Sequence, residues 1–434
     1  MTTNAGFYTD WNLYANPFSA MPLEADRIGS DLLIGRDQQL KSILFRLKSA
    51  SAAVCLDGPV GVGKTSLANV AAFRAESDYV HNNDPLFLPC KRAFQIKKDE
   101  SPDKFQFRIL TEIAQTLIEK APIYRTAGRM DGKYGIEQWL NSPTFTSVNA
   151  QIAGIGFGKS TQLNEGAGFS ESGFSRLITN WLEQIFPANQ QGGVICVLDN
   201  LELLETSSTA RKTIEHLRDT LFNIRGIRWV LCGANGIINS VVSSQRLVGH
   251  IGEPIAIPPL ALQEAQIVFD SRQECFKDHT KGGEVYLPMH RDSFHKLYLT
   301  VNRNLRQTLS YSDEYCLNVA ESGSRPRDQS DKIGRFEGWL SNRAQGIKHA
   351  VDGQVTPRQL QLLRDSIKKL EGEFSPSDYD KLGFKSISAL RPHVKALEEV
   401  GLMSATTDDQ DQRRKSISVT GKGWLLNWHD TVTS

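Results

Sequence analysis

The chain has 434 residues, 40% of them hydrophobic and 23% charged, which is the composition of a folded protein with buried cores and about two to four domains. Its 50 Lys and Arg residues against 49 Asp and Glu residues exclude an overall charge that would draw it to nucleic acid or membrane, so any basic surface must be local. No apolar run reaches the roughly 18 residues of a membrane-spanning helix, and the N-terminus lacks the pattern of a secretion signal. We therefore expect a cytoplasmic protein that has no membrane partner.

Six cysteines and nine histidines are spread along the chain. The cysteines form no CxxC pair, and four of them fall within apolar runs, where a thiol behaves as a small buried hydrophobe. The histidines show no spacing typical of metal ligands. We expect reduced structural cysteines and no structural zinc.

Residues 1–30 form a lead segment, and from residue 31 to about residue 260 short apolar runs alternate with longer helical patterns. The runs are rich in β-branched residues, as buried parallel strands are. They are Ala52–Leu56, Leu86–Cys90, Val194–Leu198, Trp229–Cys232 and Ile255–Ile257. This alternation predicts an α/β domain in which helices cover both faces of a parallel sheet.

A Gly-rich stretch interrupts the alternation at about residues 147–170. Val148, Ala150 and Ile152 alternate with polar residues there, which favours an inserted hairpin, and a surface loop is the alternative. The string GIGFGKS inside it follows no apolar strand and has the wrong glycine spacing for a phosphate-binding loop. We predict a hairpin that takes no part in phosphate binding.

Beyond residue 260 the strand pattern gives way to helices. Residues 261–345 are predicted to be helical, with the string ESGSRPRDQS at 321–330 having the composition of a linker. Residues 356–434 form a compact final unit. The sequence thus divides into an α/β domain, a helical region and a C-terminal unit.

One motif carries chemistry: the string GPVGVGKT lies between the apolar run AAVCL and the helical pattern SLANVAAF. Its glycines let consecutive backbone amides face phosphates, and the following helix adds its dipole. Lys64 should reach the outer phosphates, and the Thr65 hydroxyl should ligate Mg²⁺. The string predicts a site for ATP with Mg²⁺, formed by Gly58, Pro59, Val60, Gly61, Val62, Gly63, Lys64, Thr65 and Ser66.

A second element supports this site. The apolar run GGVICVL ends at Asp199, the carboxylate expected to hold Mg²⁺ from the neighbouring strand. Many ATPases of this class place a Glu next, as the base that polarises the attacking water, but this chain has Asn200, which cannot accept a proton. Glu202 and Glu205 follow closely and could substitute. We expect ATP hydrolysis to ADP and phosphate, at a slow rate unless one of them does.

The order of these elements resembles AAA+ or STAND-type ATPases of the branch related to replication initiators and transposition regulators. The string LLIGRDQQLKSI, which contains Arg36, resembles the stretch that packs against adenine in that branch. IPPLALQEA resembles the entry to its lid, so residues 261–345 are expected to be a helical lid. The resemblance implies that Asn235 and Arg306 are phosphate sensors and that Arg246 is an arginine finger between subunits of a homo-oligomer; a plain surface arginine is the alternative for Arg246.

The C-terminal unit carries two apolar helical patterns, at residues 360–370 and 387–397, followed by two strands that flank a charged loop. This order is typical of a winged helix-turn-helix. The strings LEEVGLM and DQRRKSISVTGKG resemble MarR-type regulators, in which the second helix enters the major groove and the wing reaches the backbone. The DNA-contacting residues implied are Lys385, Ser386, Ser388, Arg391 and Lys395 on the helix, and Arg413, Arg414 and Lys415 on the wing.

These features support two hypotheses. In the first, the nucleotide state of a P-loop ATPase controls a winged helix that contacts double-stranded DNA. In the second, the chain is a STAND-like sensor or antiphage-defence ATPase whose winged helix docks a partner protein, such as an effector from the same operon. The charge of the C-terminal unit is nearly balanced, with DDQD directly before RRK, which keeps the second hypothesis open.

Overall fold

The computed structural model describes residues 6–49, 52–82, 85–96, 100–129, 144–147, 160–163, 171–201, 207–234, 237–406 and 416–433. The first part of the chain forms an α/β domain. Its helices are α1 Arg27–Asp31, α2 Asp37–Ser49, α3 Lys64–Asn82, α4 Pro102–Glu119, α5 Ala121–Thr126, α6 Glu171–Ile185, α7 Ser207–Leu217 and α8 Ile237–Val242. Its strands are β1 Val54–Asp57, β2 Leu86–Pro89, β3 Thr144–Ser147, β4 Ser160–Leu163, β5 Gly192–Leu198, β6 Ile227–Gly233 and β7 Ile255–Ala256.

Five of these strands form one sheet in the order β2-β5-β6-β1-β7, with every pair parallel. Each predicted apolar run overlaps one of them, so the predicted parallel α/β fold is confirmed. The phosphate-binding string lies between β1 and α3, which is the strand, loop and helix order of the P-loop NTPase fold.

Alternate residues of each strand pack against opposite helical layers. In β1, Val54 and Leu56 join a core with α2 and α3, whereas Cys55 joins a second core with α4 and α6. β5 repeats the pattern, with Ile195 in the first core and Cys196 in the second. The strands are apolar throughout because both faces of the sheet are covered.

β3 and β4 form a separate antiparallel pair, with Thr144 opposite Leu163 and Ser147 opposite Ser160. This pair occupies the part of the chain where an inserted hairpin was predicted. Residues 148–159 and 164–170 are not among the described residues, so the predicted alternation at Val148, Ala150 and Ile152 falls outside the structure. The hairpin bounds of 147–170 stay a prediction.

Four helices follow the sheet in the region predicted to be a lid, and we use the name lid for them: α9 Leu262–Cys275, α10 Arg291–Thr300, α11 Leu305–Ser322 and α12 Gln329–Val351. The connection between α11 and α12 is shorter than the linker predicted at 321–330. Gly323, with φ 64°, ends α11 in the left-handed conformation, and the Asp328 side chain caps α12. The polar composition of this stretch therefore reflects two helix caps.

The N-terminal segment from residue 6 to residue 23 packs into the lid. Tyr8, Trp11, Leu13 and Phe18 are at most 3% exposed and share a core with the lid and the C-terminal unit. Tyr8 donates a hydrogen bond to Asp313 of α11 at 2.7 Å. The segment that the sequence sets apart as a lead is thus part of a core formed by residues about 300 positions later.

The C-terminal unit is a winged helix-turn-helix. Its elements are α13 Pro357–Leu370, β8 Glu373–Phe374, a 3₁₀ turn Pro376–Tyr379, α14 Ile387–Glu399, β9 Met403–Thr406, β10 Ser416–Val419 and α15 Gly421–Thr433. The three strands pair antiparallel in the order β8-β10-β9. The predicted second helix is α14, which buries Leu390, Val394 and Leu397.

The last helix joins this unit to the lid. α15 packs against α12, and Asp430 of α15 pairs with both Lys348 of α12 and Arg364 of α13. Among the helices that the structure describes, none combines the length and apolarity needed to cross a membrane.

Candidate nucleotide site

The backbone of the phosphate-binding loop has the curvature that its glycines predict. Gly61 and Gly63 have φ values of 85° and 95°, in the left-handed region that favours glycine. Gly61 also lies so close to the side chain of Asn304 that a Cβ would have no room. The loop therefore needs glycine for its shape and for the approach of the lid.

Lys64 and Thr65 are the first two residues of α3, directly after the loop. The Lys64 side chain is largely buried, with the residue 7% exposed, and its Nζ donates to the carbonyl oxygens of Gly58 and Pro59, both at 2.9 Å. An ammonium held by the carbonyl oxygens of such a loop agrees with the predicted role of Lys64 at the outer phosphates of a nucleotide.

The two predicted metal ligands lie together. The Thr65 Oγ1 donates to Asp199 Oδ2 at 2.8 Å, and Asp199, at the end of β5, is 5% exposed. Asp199 Oδ1 is buried and has no hydrogen-bond partner within the described residues. A carboxylate oxygen and a hydroxyl are the hard ligands that Mg²⁺ prefers, and a buried carboxylate with an unused oxygen suits a cation. These residues fit the predicted metal.

Asn200 follows Asp199 in the left-handed conformation, with φ 57°. The Asp199 amide donates to the carbonyl of Phe94, which holds the end of β5 in place. Glu202, Glu205 and Asn235 lie outside the described residues. The roles predicted for them therefore stay predictions.

A cavity extends from the phosphate-binding loop between the sheet domain, the lid and the N-terminal segment. Its walls are mainly apolar, contributed by residues 20–23, 32–34, Leu260, Val268, Leu305 and Leu309. Arg36 and Arg306, both predicted from the sequence, line it together with Gly61 and Thr65. An apolar slot that opens onto a phosphate-binding loop suits a flat base.

Arg36 and Arg306 reach the loop in different ways. The Arg36 Nη2 donates to the carbonyl of Val62 at 3.0 Å, and burial lowers the pKa of its guanidinium. Arg306 is exposed, and its backbone amide donates to the carbonyl of Gly61 at 3.3 Å. The first fixes the loop, and the second ties the lid to it.

Arg246 lies away from this cavity, in a 3₁₀ turn at Gln245–Leu247. It is exposed and forms ion pairs with Glu215 at 3.3 Å and Asp219 at 3.6 Å. A role between subunits stays a prediction, and within the chain its partners are these two carboxylates.

The predicted DNA-contacting residues of the helix lie on one exposed side of α14. Lys385, Ser388, Arg391 and Lys395 are exposed, and Ser386 caps the helix by accepting from the Ala389 amide. Lys395 pairs with Glu399 at 3.7 Å. The wing residues Arg413, Arg414 and Lys415 are not among the described residues.

Sequence reasoning missed three contributors to the site. Asn304 caps α11 and donates to the Val60 carbonyl at 3.0 Å. Leu23 donates its amide to Ser66 Oγ at 3.0 Å, and Arg272 of α9 lines the cavity. The Asn before a helical pattern is a cap signal that marks Asn304, but nothing in the sequence indicates contacts across more than 40 residues.

No family model matches the chain, and no curated protein does. Solved structures similar to it include the ORC2 protein of Aeropyrum pernix in ADPNP-ADP complexes, which is 11% identical with a TM-score of 0.47 and covers 96% of this chain and 97% of its own. The ORC1 protein of the same organism in complex with DNA is 14% identical with a TM-score of 0.45, over 93% and 94% of the two chains. A Walker-type ATPase of Pyrococcus abyssi is 12% identical with a TM-score of 0.48, over 95% and 99%. The nucleotides and DNA in those complexes belong to those proteins.

Proposed function

We propose that this chain is an AAA+-type ATPase that binds ATP with Mg²⁺, hydrolyses it slowly, and through its lid controls a winged helix that contacts DNA. The observation that carries the proposal is the direct bonding between the start of lid helix α11 and the phosphate-binding loop. Asn304 donates to the Val60 carbonyl and the Arg306 amide donates to the Gly61 carbonyl.

The loop supplies the groups that a nucleoside triphosphate needs. Lys64 and the loop amides would hold the outer phosphates, and Thr65 and Asp199 would hold Mg²⁺. The metal, when bound, neutralises phosphate charge and orients the transferred group. Asn200 can orient a water molecule but cannot take its proton, which is the reason for expecting slow turnover.

The hydrogen bonds between the lid and the phosphate-binding loop give the bound nucleotide a way to change the position of the lid. Because Asn304 and Arg306 bond to the loop itself, phosphates bound by that loop are expected beside the start of α11. A ligand shifts a two-state equilibrium only through different contacts with the two states. We infer that Arg306 makes such a contact with ATP, one that ADP lacks.

Helix α11 also contacts the winged helix, through Gln307, the residue after Arg306. The side-chain amide of Gln307 of α11 lies directly against Gly421, the first residue of α15, so a Cβ at Gly421 would displace that amide. α15 in turn packs on α12. A movement of α11 would therefore be passed to the C-terminal unit by packing.

The exposed side of α14 supports DNA as the partner, because Arg391 and Lys395 lie on it and the exposed Lys385 directly precedes the helix cap. Docking of a partner protein is the second candidate, favoured by the Lys395–Glu399 pair, which places an acid where phosphates would lie. The STAND branch, the antiphage role and the MarR-type resemblance stay predictions of the sequence.

Duplex affinity of the full chain tests the proposal. Affinity should fall as salt rises, and it should differ between ADP and a non-hydrolysable ATP analogue. Replacing both Arg391 and Lys395 with Ala should lower the salt slope by about two, at about one per lost phosphate contact. A matched variant that removes the exposed Lys368 and Lys369 from α13 should keep the slope.

Absence of salt-dependent duplex binding in both nucleotide states would establish docking in place of DNA contact. The full chain is required because α15 packs against α12 of the lid. An isolated C-terminal fragment would expose that face of α15.

A further inference from the structure

Arg272 of α9 is a buried cation without a countercharge in the described residues. The residue is 5% exposed, and its Nη1 donates to the carbonyl oxygens of Pro17 at 2.9 Å and Ser19 at 3.2 Å. Nε is buried and has no hydrogen-bond partner within the part of the chain that the structure describes. Burial lowers the pKa of Arg272 to about 10, which leaves it protonated at neutral pH.

Such an arrangement is uncommon. Buried charges are normally paired, and N–H groups left without an acceptor are costly. Arg272 lines the cavity that opens onto the phosphate-binding loop. An acceptor inside this cavity would satisfy the unused donor.

The position of Arg272 within the cavity indicates which part of a nucleotide it would meet. Gly61, Gly63 and Thr65 define the phosphate end. Val268 lies one turn before Arg272 on the same face of α9 and belongs to the apolar wall. Arg272 therefore lies beside the apolar wall of the cavity, where the base of a nucleotide would bind.

We propose that Arg272 reads the base, by donating a hydrogen bond to an unprotonated ring nitrogen of a purine nucleotide bound at the phosphate-binding loop. This inference rests on the proposed nucleotide site. A guanidinium is a donor only, so its partner must be an acceptor. Adenine carries acceptor nitrogens at ring positions 1, 3 and 7, all of them free of hydrogen. The remaining wall is apolar and would hold the faces of the ring without selecting an edge.

The same guanidinium also anchors residues 17–19, so its two roles must be separated. Arg272→Lys keeps a cation that can donate to the Pro17 and Ser19 carbonyls, while it loses the planar fork that carries the other donors. Arg291→Lys, on an exposed arginine of the same lid, serves as the matched control.

The test compares the affinity of the wild-type chain for ATP, for its 1-deaza, 3-deaza and 7-deaza analogues, and for tripolyphosphate. One deaza analogue should bind about ten- to a hundredfold more weakly than ATP, the effect of one hydrogen bond to a charged group. Arg272→Lys should weaken ATP binding by a similar factor, remove the difference between ATP and that analogue, and leave tripolyphosphate unchanged. Arg291→Lys should change none of these affinities.

Equal binding of ATP and all three analogues by the wild-type chain would overturn the inference, without any variant being needed. An equal loss of ATP and tripolyphosphate in Arg272→Lys would do the same and would assign Arg272 to anchoring residues 17–19. If neither ATP nor tripolyphosphate binds the wild-type chain, the nucleotide site itself is wrong. That result differs from a site that binds triphosphates but ignores the base edge.

Discussion

Lys64 is the residue whose role is tested most directly. Its ammonium is held by two loop carbonyls, and its side chain is largely buried. Lys64→Ala removes the cation placed to meet the outer phosphates, so ATP affinity should fall about tenfold or more while the fold persists. Calorimetric titration measures the affinity, and circular dichroism checks the fold. Lys41→Ala, on the exposed side of α2, should bind ATP normally. Undiminished binding in Lys64→Ala would show that the site is misassigned.

We expect ATP turnover to depend on the pair Asp199 and Asn200. Asp199→Ala removes the carboxylate that would hold Mg²⁺ and should abolish magnesium-dependent hydrolysis. Asn200→Glu should raise the rate, because a carboxylate can accept the proton of the attacking water. Phosphate release measures both.

Asn200 has φ 57°, a conformation that Asp adopts more easily than Glu. Asn200→Asp is therefore the companion variant that introduces a carboxylate with less backbone strain. A wild-type rate above about one per second, within the usual enzyme range, would mean that another residue already acts as the base.

The joint between the lid and the phosphate-binding loop depends on one side chain at the start of α11. Asn304 both caps the helix and bonds to Val60. Asn304→Ala removes both interactions, and the lost cap should cost about 0.5–2 kcal/mol of stability. Asn304→Ser keeps a capping hydroxyl but has no amide N–H to donate to Val60.

Both variants should lose part of the preference for ATP over ADP, and only Asn304→Ala should also lower the melting temperature. The ratio of the two nucleotide affinities is the measurement. An unchanged ratio in Asn304→Ser would show that the lid contact does not distinguish the nucleotides.

The contact between α11 and α15 makes a separate prediction. Gly421→Ala places a methyl group where the Gln307 amide lies, which should displace that side chain and break this contact between α11 and α15. ATP affinity should stay near the wild-type value, whereas the dependence of duplex binding on nucleotide should weaken. Gly423→Ala is unsuitable as a control because Gly423 lies against the Leu402 carbonyl. Gly353→Ala, with open space around it and only the strain of its own φ of 75°, controls for glycine replacement.

At the scale of the whole molecule, one core joins the N-terminal segment, the lid and the winged helix. Trp11 is 3% exposed and packs edge-on against Tyr8 and Tyr286. Trp11→Ala should cost about 3–5 kcal/mol, the loss expected for a buried aromatic side chain. Phe45→Ala, at a side chain that is 74% exposed, should change stability by at most about 0.5 kcal/mol.

Urea unfolding measures the free energy of both variants, and protease mapping shows which elements are released. We expect Trp11→Ala to expose the lid and the winged helix together, because they share this core. Release of the N-terminal segment alone would contradict that expectation.

Local patterns were enough to predict the parallel sheet and the helices of the C-terminal unit, and the phosphate-binding loop and Asp199 were proposed from local patterns as well. Strands buried on both faces are continuous apolar runs, and a loop that binds phosphate must place glycines and a lysine at set intervals. Both features therefore depend on residues that are close together in the sequence. The N-terminal segment, Asn304, Arg272 and Gln307 belong to contacts between residues that are 40 to more than 300 positions apart. Such contacts depend on how helices and strands pack against one another, and this packing gives no periodic pattern in the sequence. The bonds between the phosphate-binding loop and the lid, and the close approach of the lid to the winged helix, therefore became visible only in the folded chain.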